Sequence, residues 1–167
     1  MRKYPQLPDD LPKTKFDSEA IRSLEVLSFQ EIEPYLSNLF VWVQDLNWPI
    51  SGSTTQLIRS FGAQATPAIK AALTHCKTSN DSTWAHNIIE LFVKPLEKEV
   101  IALFSEELQA WWFHDNIELK ILIFEIMTKN KVGEQAQLKK WVKINRKSCE
   151  EFAENLRLIE KELDSIF

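Results

Sequence analysis

The stretch DLNWPI, residues 45–50, interrupts a chain that otherwise has the apolar spacing of α-helices. The helix predicted before it opens with a capping box formed by Ser28 and Glu31. That helix turns apolar side chains inward at spacings of three and four residues as far as Val43. Pro49 is predicted to take the first position of the next helix, where proline is favoured, and Gly62 to end that helix. DLNWPI is therefore predicted to be a corner between two helices.

Two further corners of similar composition follow, DSTW at 81–84 and HDNI at 114–117. The aspartates of the three corners lie 36 and then 34 residues apart, which is within the range of HEAT and tetratricopeptide repeats. The tetratricopeptide consensus is absent, so the pattern favours a HEAT-like α-α superhelix of about three helical hairpins. The candidate helix caps are Asp81 or Ser82 at the second corner and Asp115 or Asn116 at the third.

Glycine is scarce, with only 3 in 167 residues, and this favours an all-α fold because a β-rich domain needs more of them in its turns. Asp17 is predicted to cap the first helix, and Thr66 with Pro67 to open a later one. Residues 96–113 are predicted to form one broken or two short helices, with Ser105 as a second cap. The segment ELKILIFEIM, 118–127, is apolar nearly all round and is expected to be central.

The character of the chain changes after residue 130. Apolar residues between 138 and 166 alternate spacings of four and three over about four heptads, which predicts one long helix. The predicted division is therefore a repeat domain at 1–130, with an extended lead-in, and a C-terminal helix at 131–167. This helix either packs as a cap over the open end of the repeats or self-associates, which would give a homodimer through residues 138–166.

The charge balance argues against several classes of protein. A net charge of −4 and a pI near 5.5 make nucleic acid an unlikely partner, and the basic segment at 138–147 is interpreted as a solvated helix face. No apolar run approaches the roughly 18 residues that span a bilayer, and the N-terminus lacks the apolar part of a secretory signal. Two distant cysteines without a CxxC motif suit a reducing compartment, so we expect a cytoplasmic protein.

Several segments in the first half of the chain carry a resemblance. They are LPKTKFD at 11–17, LSFQEIEPYL at 27–36, WVQDLNWPI at 42–50, LIRSFG at 57–62 and TPAIKAAL at 66–73. With the signature Trp42, Asp45, Asn47, Trp48 and Pro49, residues 8–130 resemble a bacterial family of domains of unknown function with a HEAT-like helical fold. The resemblance implies a small helical-repeat module without an established activity. Such families are similar in class to antitoxin and immunity proteins.

Motifs that would indicate an enzyme are missing from the sequence. His75 and Cys76 are adjacent, so on a helix they point about 100° apart, and neither HExxH nor CxxC occurs. Glycine-rich phosphate loops and a GxSxG elbow are absent as well. We therefore expect no metal, no cofactor and no catalytic residue. The enzymatic alternative is a HEAT-like DNA glycosylase, in which Trp48, Trp84 and Asp45 or Asp81 would line a concave groove, although the acidic charge argues against it.

The predicted function is that of a non-enzymatic protein-binding module, with an immunity-type inhibitor of a toxin as one version. In the repeat architecture the second helices, 49–62, 82–94 and 116–129, would line one face, whose acids would meet a basic partner. The segment WWFHD, 111–115, adds three consecutive aromatics that cannot all face one core, so one is expected at the surface. The corner residues have a structural alternative, in which the aspartates cap helices and Trp48 packs between hairpins. The candidate partner-binding residues are Asp45, Asn47, Trp48, Trp84, His86, Glu90, Trp112, Asp115, Glu118 and Glu125.

Overall fold

The structure is a computed structural model that describes residues 11–133 and, beyond them, residues 136, 138–140, 143, 146, 150 and 154. The described residues form helices joined by turns, and no β-strand occurs among them. The predicted all-α class is therefore confirmed. None of the helices in this part of the chain is long and apolar enough to cross a membrane.

The α-helices are short, apart from three of ten residues or more. In chain order they are α1 Ser18–Leu24, α2 Phe29–Ile32, α3 Leu36–Phe40, α4 Ser51–Ser60, α5 Thr66–Ser79, α6 Ser82–Ile88, α7 Lys98–Ala102, α8 Ser105–Gln109 and α9 Ile117–Asn130. Segments of other helical type extend four of these helices. They are the 3-10 turns Glu33–Tyr35, Val41–Val43 and Gly62–Ala65 and the π-helical segment Ile89–Val93, which continues α6.

The structure differs from the predicted helices at two prolines. The helix predicted from Ser28 to Val43 is broken into α2 and α3 by a 3-10 turn that contains Pro34, because proline lacks an N–H and its ring clashes with the preceding turn. Pro49 was predicted to be the first residue of α4. It lies instead in the corner before this helix. There the Ser51 N–H donates to Trp48 O at 3.0 Å and its hydroxyl to Leu46 O at 2.9 Å, and α4 begins only at Ser51.

Two helix caps are confirmed by their hydrogen bonds. Asp81 Oδ1 accepts from the Trp84 N–H at the start of α6, and Asn116 Oδ1 accepts from the Leu119 N–H at the start of α9, both at 2.9 Å. Each bond satisfies one of the N–H groups that a first helical turn leaves unpaired. The two short helices predicted for residues 96–113 are α7 and α8, and the Ser105 hydroxyl oxygen accepts from Gln109 Nε2 at 2.9 Å instead of capping α8.

The other predicted cap residues are Asp17, Ser28 and Thr66, and their side chains bond in different ways. Asp17 occupies the cap position of α1, but its Oδ2 accepts from the N–H groups of Lys13 and Thr14, each at 2.7 Å, so it ties down the lead-in. At the start of α2 the Glu31 carboxylate accepts from the Ser28 N–H at 2.8 Å, as in the predicted capping box, and it also accepts from the Ser28 hydroxyl at 2.6 Å. The Thr66 hydroxyl donates to Ala63 O at 2.7 Å, so it closes a preceding turn.

Helices that follow one another along the chain pack in pairs. Contacts join α3 to α4 and α5 to α6, while α1 packs on α4 and α7 on α9. Contacts between successive pairs form two series. In the first, α5 contacts both α3 and α8. In the second, α4 contacts the π-helical segment that continues α6, and α6 contacts α9. The superhelix itself remains a prediction.

One hydrophobic core runs from Ile21 to Val132. Its largest fully buried side chains include Trp111, Phe40 and Phe104, each of which stabilises the fold by about 1.5–3 kcal/mol relative to an exposed position. Aromatic rings meet edge to face at two points within it: Phe40 with Phe92 at 5.3 Å and Phe29 with Phe61 at 5.4 Å between centroids. The core therefore connects the first helix with the last described one.

A tight turn ends α9. Lys131 has a φ of 55°, and the Val132 N–H donates to Met127 O at 2.9 Å, as in a Schellman motif. Gly133 has a φ of 83°, a conformation that favours glycine over residues with a side chain, and a Cβ there would also push on Cε of the flexible Met127 side chain, 2.9 Å away. Beyond this turn Leu138 packs against the core. The other residues of the predicted heptad seam lie outside the described residues, so neither the cap nor the dimer alternative is tested.

Candidate functional site

The first corner is organised by an Asx turn. Asp45 Oδ1 accepts from the Asn47 N–H at 2.9 Å and from Asn47 Nδ2 at 3.1 Å. Asp45 therefore does not cap α4, which was one structural role predicted for it, because its carboxylate is used within the corner. Asp45 is half-buried and Asn47 is exposed.

Trp48 is half-buried and packs against the core. Its ring meets Trp42 edge to face, with 6.1 Å between centroids. The four polar or aromatic residues of the signature are thus paired within the corner, Asp45 with Asn47 and Trp42 with Trp48. Trp48 therefore packs on the core and on Trp42 at its own corner, and part of its side chain stays accessible.

Trp84, in the second corner, is 6% exposed. Its indole Nε1 donates to Phe40 O at 3.1 Å, so both the ring and its polar atom are engaged inside the protein. The prediction that Trp84 offers a ring to a partner is therefore withdrawn. Asp81 is similarly occupied, because its Oδ2 accepts from Gln44 Nε2 at 2.9 Å in addition to the capping bond.

Hydrogen bonds between side chains link the three corners. Gln44 beside the first corner bonds Asp81 in the second, and Asn116 Nδ2 in the third donates to Ser82 Oγ at 3.2 Å. Asn87 Nδ2 also reaches back to the carbonyls of Val43 and Gln44, at 3.2 and 3.1 Å. Gln44 and Asn87 were not among the residues predicted from the sequence. The available signal was a long polar side chain at the end of one helix and an amide three residues after Trp84.

The WWFHD segment places one aromatic at the surface, as predicted. Trp111 and Trp112 are buried, Trp112 being 7% exposed, whereas Phe113 is 77% exposed. Trp112 was the predicted anchor and is replaced by Phe113, because two of the three consecutive rings fit into the core and the third is left outside. His114 stays local: its Nδ1 accepts from the Asn116 N–H at 3.1 Å.

We use the name α9 surface for one exposed stripe of α9 together with the exposed Phe113 and Asp115 in the turn before this helix. Along α9, positions 118, 121 and 125 share one stripe because they are spaced by three and four residues. All are exposed, and Ile121, at 51%, stands between two glutamates. The α9 surface thus carries two exposed apolar side chains and three carboxylates. Its members are Phe113, Asp115, Glu118, Ile121 and Glu125.

Glu90 and His86 lie on the neighbouring element and are half-buried. Glu90 Oε1 forms a salt bridge with Lys94 Nζ at 2.9 Å. This hydrogen bond is the main cause that raises the pKa of Lys94, and the charge of Glu125 makes a smaller contribution. Glu125 therefore acts on the same cation as Glu90. The predicted residues Glu90 and Glu125 thus both stabilise the charged form of Lys94, Glu90 through a direct bond and Glu125 through its charge.

The described residues contain no group of three or more His, Cys, Asp or Glu side chains that could hold a metal ion. Cys76 is buried, and burial, followed by the charge of Asp81, raises the pKa of its thiol to about 12. At neutral pH this thiol stays protonated and is unsuited to nucleophilic attack. His75 packs its ring against Trp84 at 5.5 Å.

Comparison with known proteins adds one match. A family model described as "Domain of unknown function (DUF5071)" matches residues 11–121. No curated protein matches the chain. The resemblance to a family of unknown function, predicted from the segments around Trp42 and Pro49 for residues 8–130, is thus confirmed over slightly narrower bounds.

Proposed function

The chain belongs to this family of unknown function, so its activity has to be inferred from the molecule, and we propose that it is a non-enzymatic protein-binding module. The contact region is the α9 surface. The observation that supports it is the exposure of Phe113 at 77%, two residues from the exposed carboxylate of Asp115. Aromatic side chains are enriched among the residues that dominate binding energy in protein interfaces.

The arrangement of charge favours a basic partner. Apolar anchors surrounded by polar groups are typical of protein interfaces, and here Ile121 lies one helical turn from a glutamate on either side. Carboxylates at positions 115, 118 and 125 would attract a positively charged surface and speed association. His86 in α6 and Glu90 in the π-helical segment would extend the contact beyond α9.

A specific version of this function is an immunity-type inhibitor acting in the cytoplasm. It is supported by the small size of the chain and its net charge of −4, since acidic inhibitors cover basic toxin surfaces. In the predicted HEAT-like superhelix the second helices of the hairpins would form one continuous face that includes α9. The contacts of α4 with the π-helical segment, and of α6 with α9, are consistent with such a face.

The alternatives find less support in the described residues. A DNA glycosylase would need Trp48, Trp84 and Asp45 or Asp81 in an open groove. Trp84 is buried, and each of the two aspartates accepts two hydrogen bonds within the protein. Self-association through residues 138–166 concerns a segment of which the structure describes only isolated positions. We therefore do not propose either of them.

Affinity capture from a lysate of the source organism tests the proposal. Tagged wild-type protein is expected to retain a protein partner, and Phe113→Ala and Ile121→Ala are each expected to weaken its retention by more than about 1 kcal/mol, because each truncates an apolar anchor. The charge reversal of Glu118 and Glu125 to lysine is expected to slow association and reduce its salt dependence.

Matched control variants lie around α1 and α2, far from α9 in the sequence. Phe16, 69% exposed, controls for Phe113, and Val26 controls for Ile121. Reversal of the exposed Glu25 and Glu33 controls for the two α9 glutamates. Loss of the partner from Phe16→Ala and Phe113→Ala alike would contradict the assignment of the surface. Recovery of nucleic acid alone would contradict the function.

A further inference from the structure

A groove of about 310 Å³ lies between α5 and α8, away from the α9 surface. Leu73 and Ala110 provide apolar wall, and Trp111 lines the groove from the end of α8. A volume of this size accommodates a side chain or a small ligand. Nothing in the proposed function uses this groove.

Glu107 carries an unsatisfied atom in this groove. Its Oε1 is 3.0 Å from Lys70 Nζ. Its Oε2 is buried and has no hydrogen-bond partner among the residues that the structure describes. A buried carboxylate oxygen without a donor is destabilising, and groups of this kind often mark a site that a ligand completes.

Most polar atoms around the groove are acceptors. The hydroxyl protons of Thr74 and Thr78 are already donated to Lys70 O and Thr74 O, each at 3.0 Å, so their oxygens can only accept. The exposed carboxylate of Glu106 adds two more acceptors. The Lys70 ammonium is already engaged with Glu107, and the other cation, Lys77, belongs to the lining, so a ligand that displaces Lys77 has to bring donors and positive charge in its place.

A cation already lies against the Trp111 ring. Lys77 Nζ is 4.7 Å from the centroid of Trp111, which is within the range of a cation–π interaction. Lys77 is exposed, and its side chain is flexible enough to swing away at little cost. Its ammonium shows which chemistry the ring accepts.

We propose that the α5–α8 groove binds an arginine side chain of a peptide partner. The guanidinium replaces the Lys77 ammonium over Trp111, and its N–H groups donate to the carboxylates of Glu107 and Glu106. Guanidinium fits better than ammonium because it is planar, stacks on an indole and supplies five donors. Glu107 Oε2 is closed to solvent and lacks a donor, and a guanidinium that takes the place of Lys77 would supply one.

The probe is a blocked pentapeptide with one central arginine between serine and glycine residues, titrated into the full chain. Its neutral counterpart carries citrulline in place of arginine. Binding is followed by the NMR signal of the Trp111 indole N–H, assigned through Trp111→Phe. The arginine peptide is expected to shift this signal in a saturable way, whereas the citrulline peptide leaves it unchanged at the same concentrations.

Variants identify the groups involved. Glu107→Gln is expected to weaken binding about tenfold or more through loss of a charged acceptor, and Glu106→Gln by a smaller factor. Lys77→Met is expected to strengthen binding about threefold, since it removes the competing cation. Glu33→Gln and Lys13→Met, both exposed and remote from the groove, are expected to leave binding unchanged.

Three results would overturn the proposal: equal binding of the citrulline peptide, unchanged affinity in both glutamate variants, or weaker binding by Lys77→Met. Free arginine that binds as tightly as the peptide would show a small-molecule site in place of peptide docking. Glu106→Gln and Lys77→Met change exposed side chains, so they test the groove even if Glu107→Gln fails to fold. Binding to the α9 surface is unaffected by this outcome, because the two sites share no residue.

Discussion

Cys76 sits in the core next to the second corner, and its surroundings govern its chemistry. Burial, with a smaller contribution from the charge of Asp81, raises the pKa of its thiol to about 12. In a Cys149→Ser background at about pH 8, we expect native Cys76 to react with a thiol reagent roughly a thousandfold more slowly than the unfolded chain, because the thiolate fraction falls by that factor. Stopped-flow or absorbance kinetics with and without denaturant measure this ratio.

The same chain in denaturant serves as the control, since it contains the identical thiol without its surroundings. Comparable rates in the native and unfolded protein would show that Cys76 is accessible and would contradict its buried position.

Phe113 shows where prediction from sequence reaches its limit for single residues. Helical periodicity indicated that one of three consecutive aromatics had to be outside, and this is confirmed. It could not identify which one, because WWFHD precedes α9 in a turn where no helical period applies. Asp45 is a similar case. Its residue type suits both a helix cap and an Asx turn, and the choice depended on the exact start of α4.

At the scale of elements, segments with strong caps were predictable and interrupted ones were not. Asp81 and Asn116 opened the helices expected from their sequence because a single side chain supplies the missing acceptor. The break at Pro34 and the π-helical segment Ile89–Val93 are local departures from the α-helical pitch within longer helical stretches. A periodicity of 3.6 residues carries no information about such local changes of pitch.

The hydrogen bonds from α6 to the segment before the first corner lead to a prediction for that element. Trp84→Phe keeps an aromatic ring but removes the donor to Phe40 O, so we expect it to lower the free energy of unfolding by about 2 kcal/mol. Asn87→Ala, which frees the carbonyls of Val43 and Gln44, is expected to cost about 1 kcal/mol. Urea unfolding followed by circular dichroism measures both.

The exposed neighbour Thr83 provides the matched control on the same helix. Thr83→Ala is expected to change stability by less than about 0.5 kcal/mol. If Trp84→Phe proved equally harmless, the bond across the corners would contribute nothing to stability.

Whole-molecule stability should respond to acid through two exposed carboxylates at the N-terminal end. Hydrogen bonds from the Lys13 and Thr14 backbone and the Thr14 hydroxyl lower the pKa of Asp17, and bonds from Ser28 lower that of Glu31. A lowered folded pKa means stabilisation that is fully present above the unfolded value of about 4 and is lost as pH falls through the folded value.

Asp17→Asn and Glu31→Gln test this linkage. The Tm of wild type is expected to exceed that of each variant at about pH 6, and the difference is expected to shrink as pH drops below about 4, where the wild-type carboxylates become protonated. Thermal unfolding across this range measures it. A Tm difference that stayed constant down to about pH 2.5 would contradict the role of the charged carboxylates.

For the molecule as a whole, the class and the family were predictable, whereas the connections between corners were not. Scarce glycine and the spacing of apolar residues were sufficient for an all-α fold. The pairing of Gln44 with Asp81, 37 residues away, depends on how two helix pairs are stacked. One sequence does not specify which distant polar groups meet, so the buried state of Trp84 could not be foreseen.

The bonds between corners also limit how such a chain can change its length during evolution. Gln44 and Asn87 complete groups that belong to a different helix pair, and Asn116 does the same for Ser82. A pair of helices inserted between α4 and α5 would separate Gln44 from Asp81 and Asn87 from the carbonyls of Val43 and Gln44, and a pair inserted between α6 and α9 would separate Asn116 from Ser82. The helix pairs are consequently not interchangeable modules. Growth by duplication would be tolerated only at an end of the series, where no bond of this kind has to be broken.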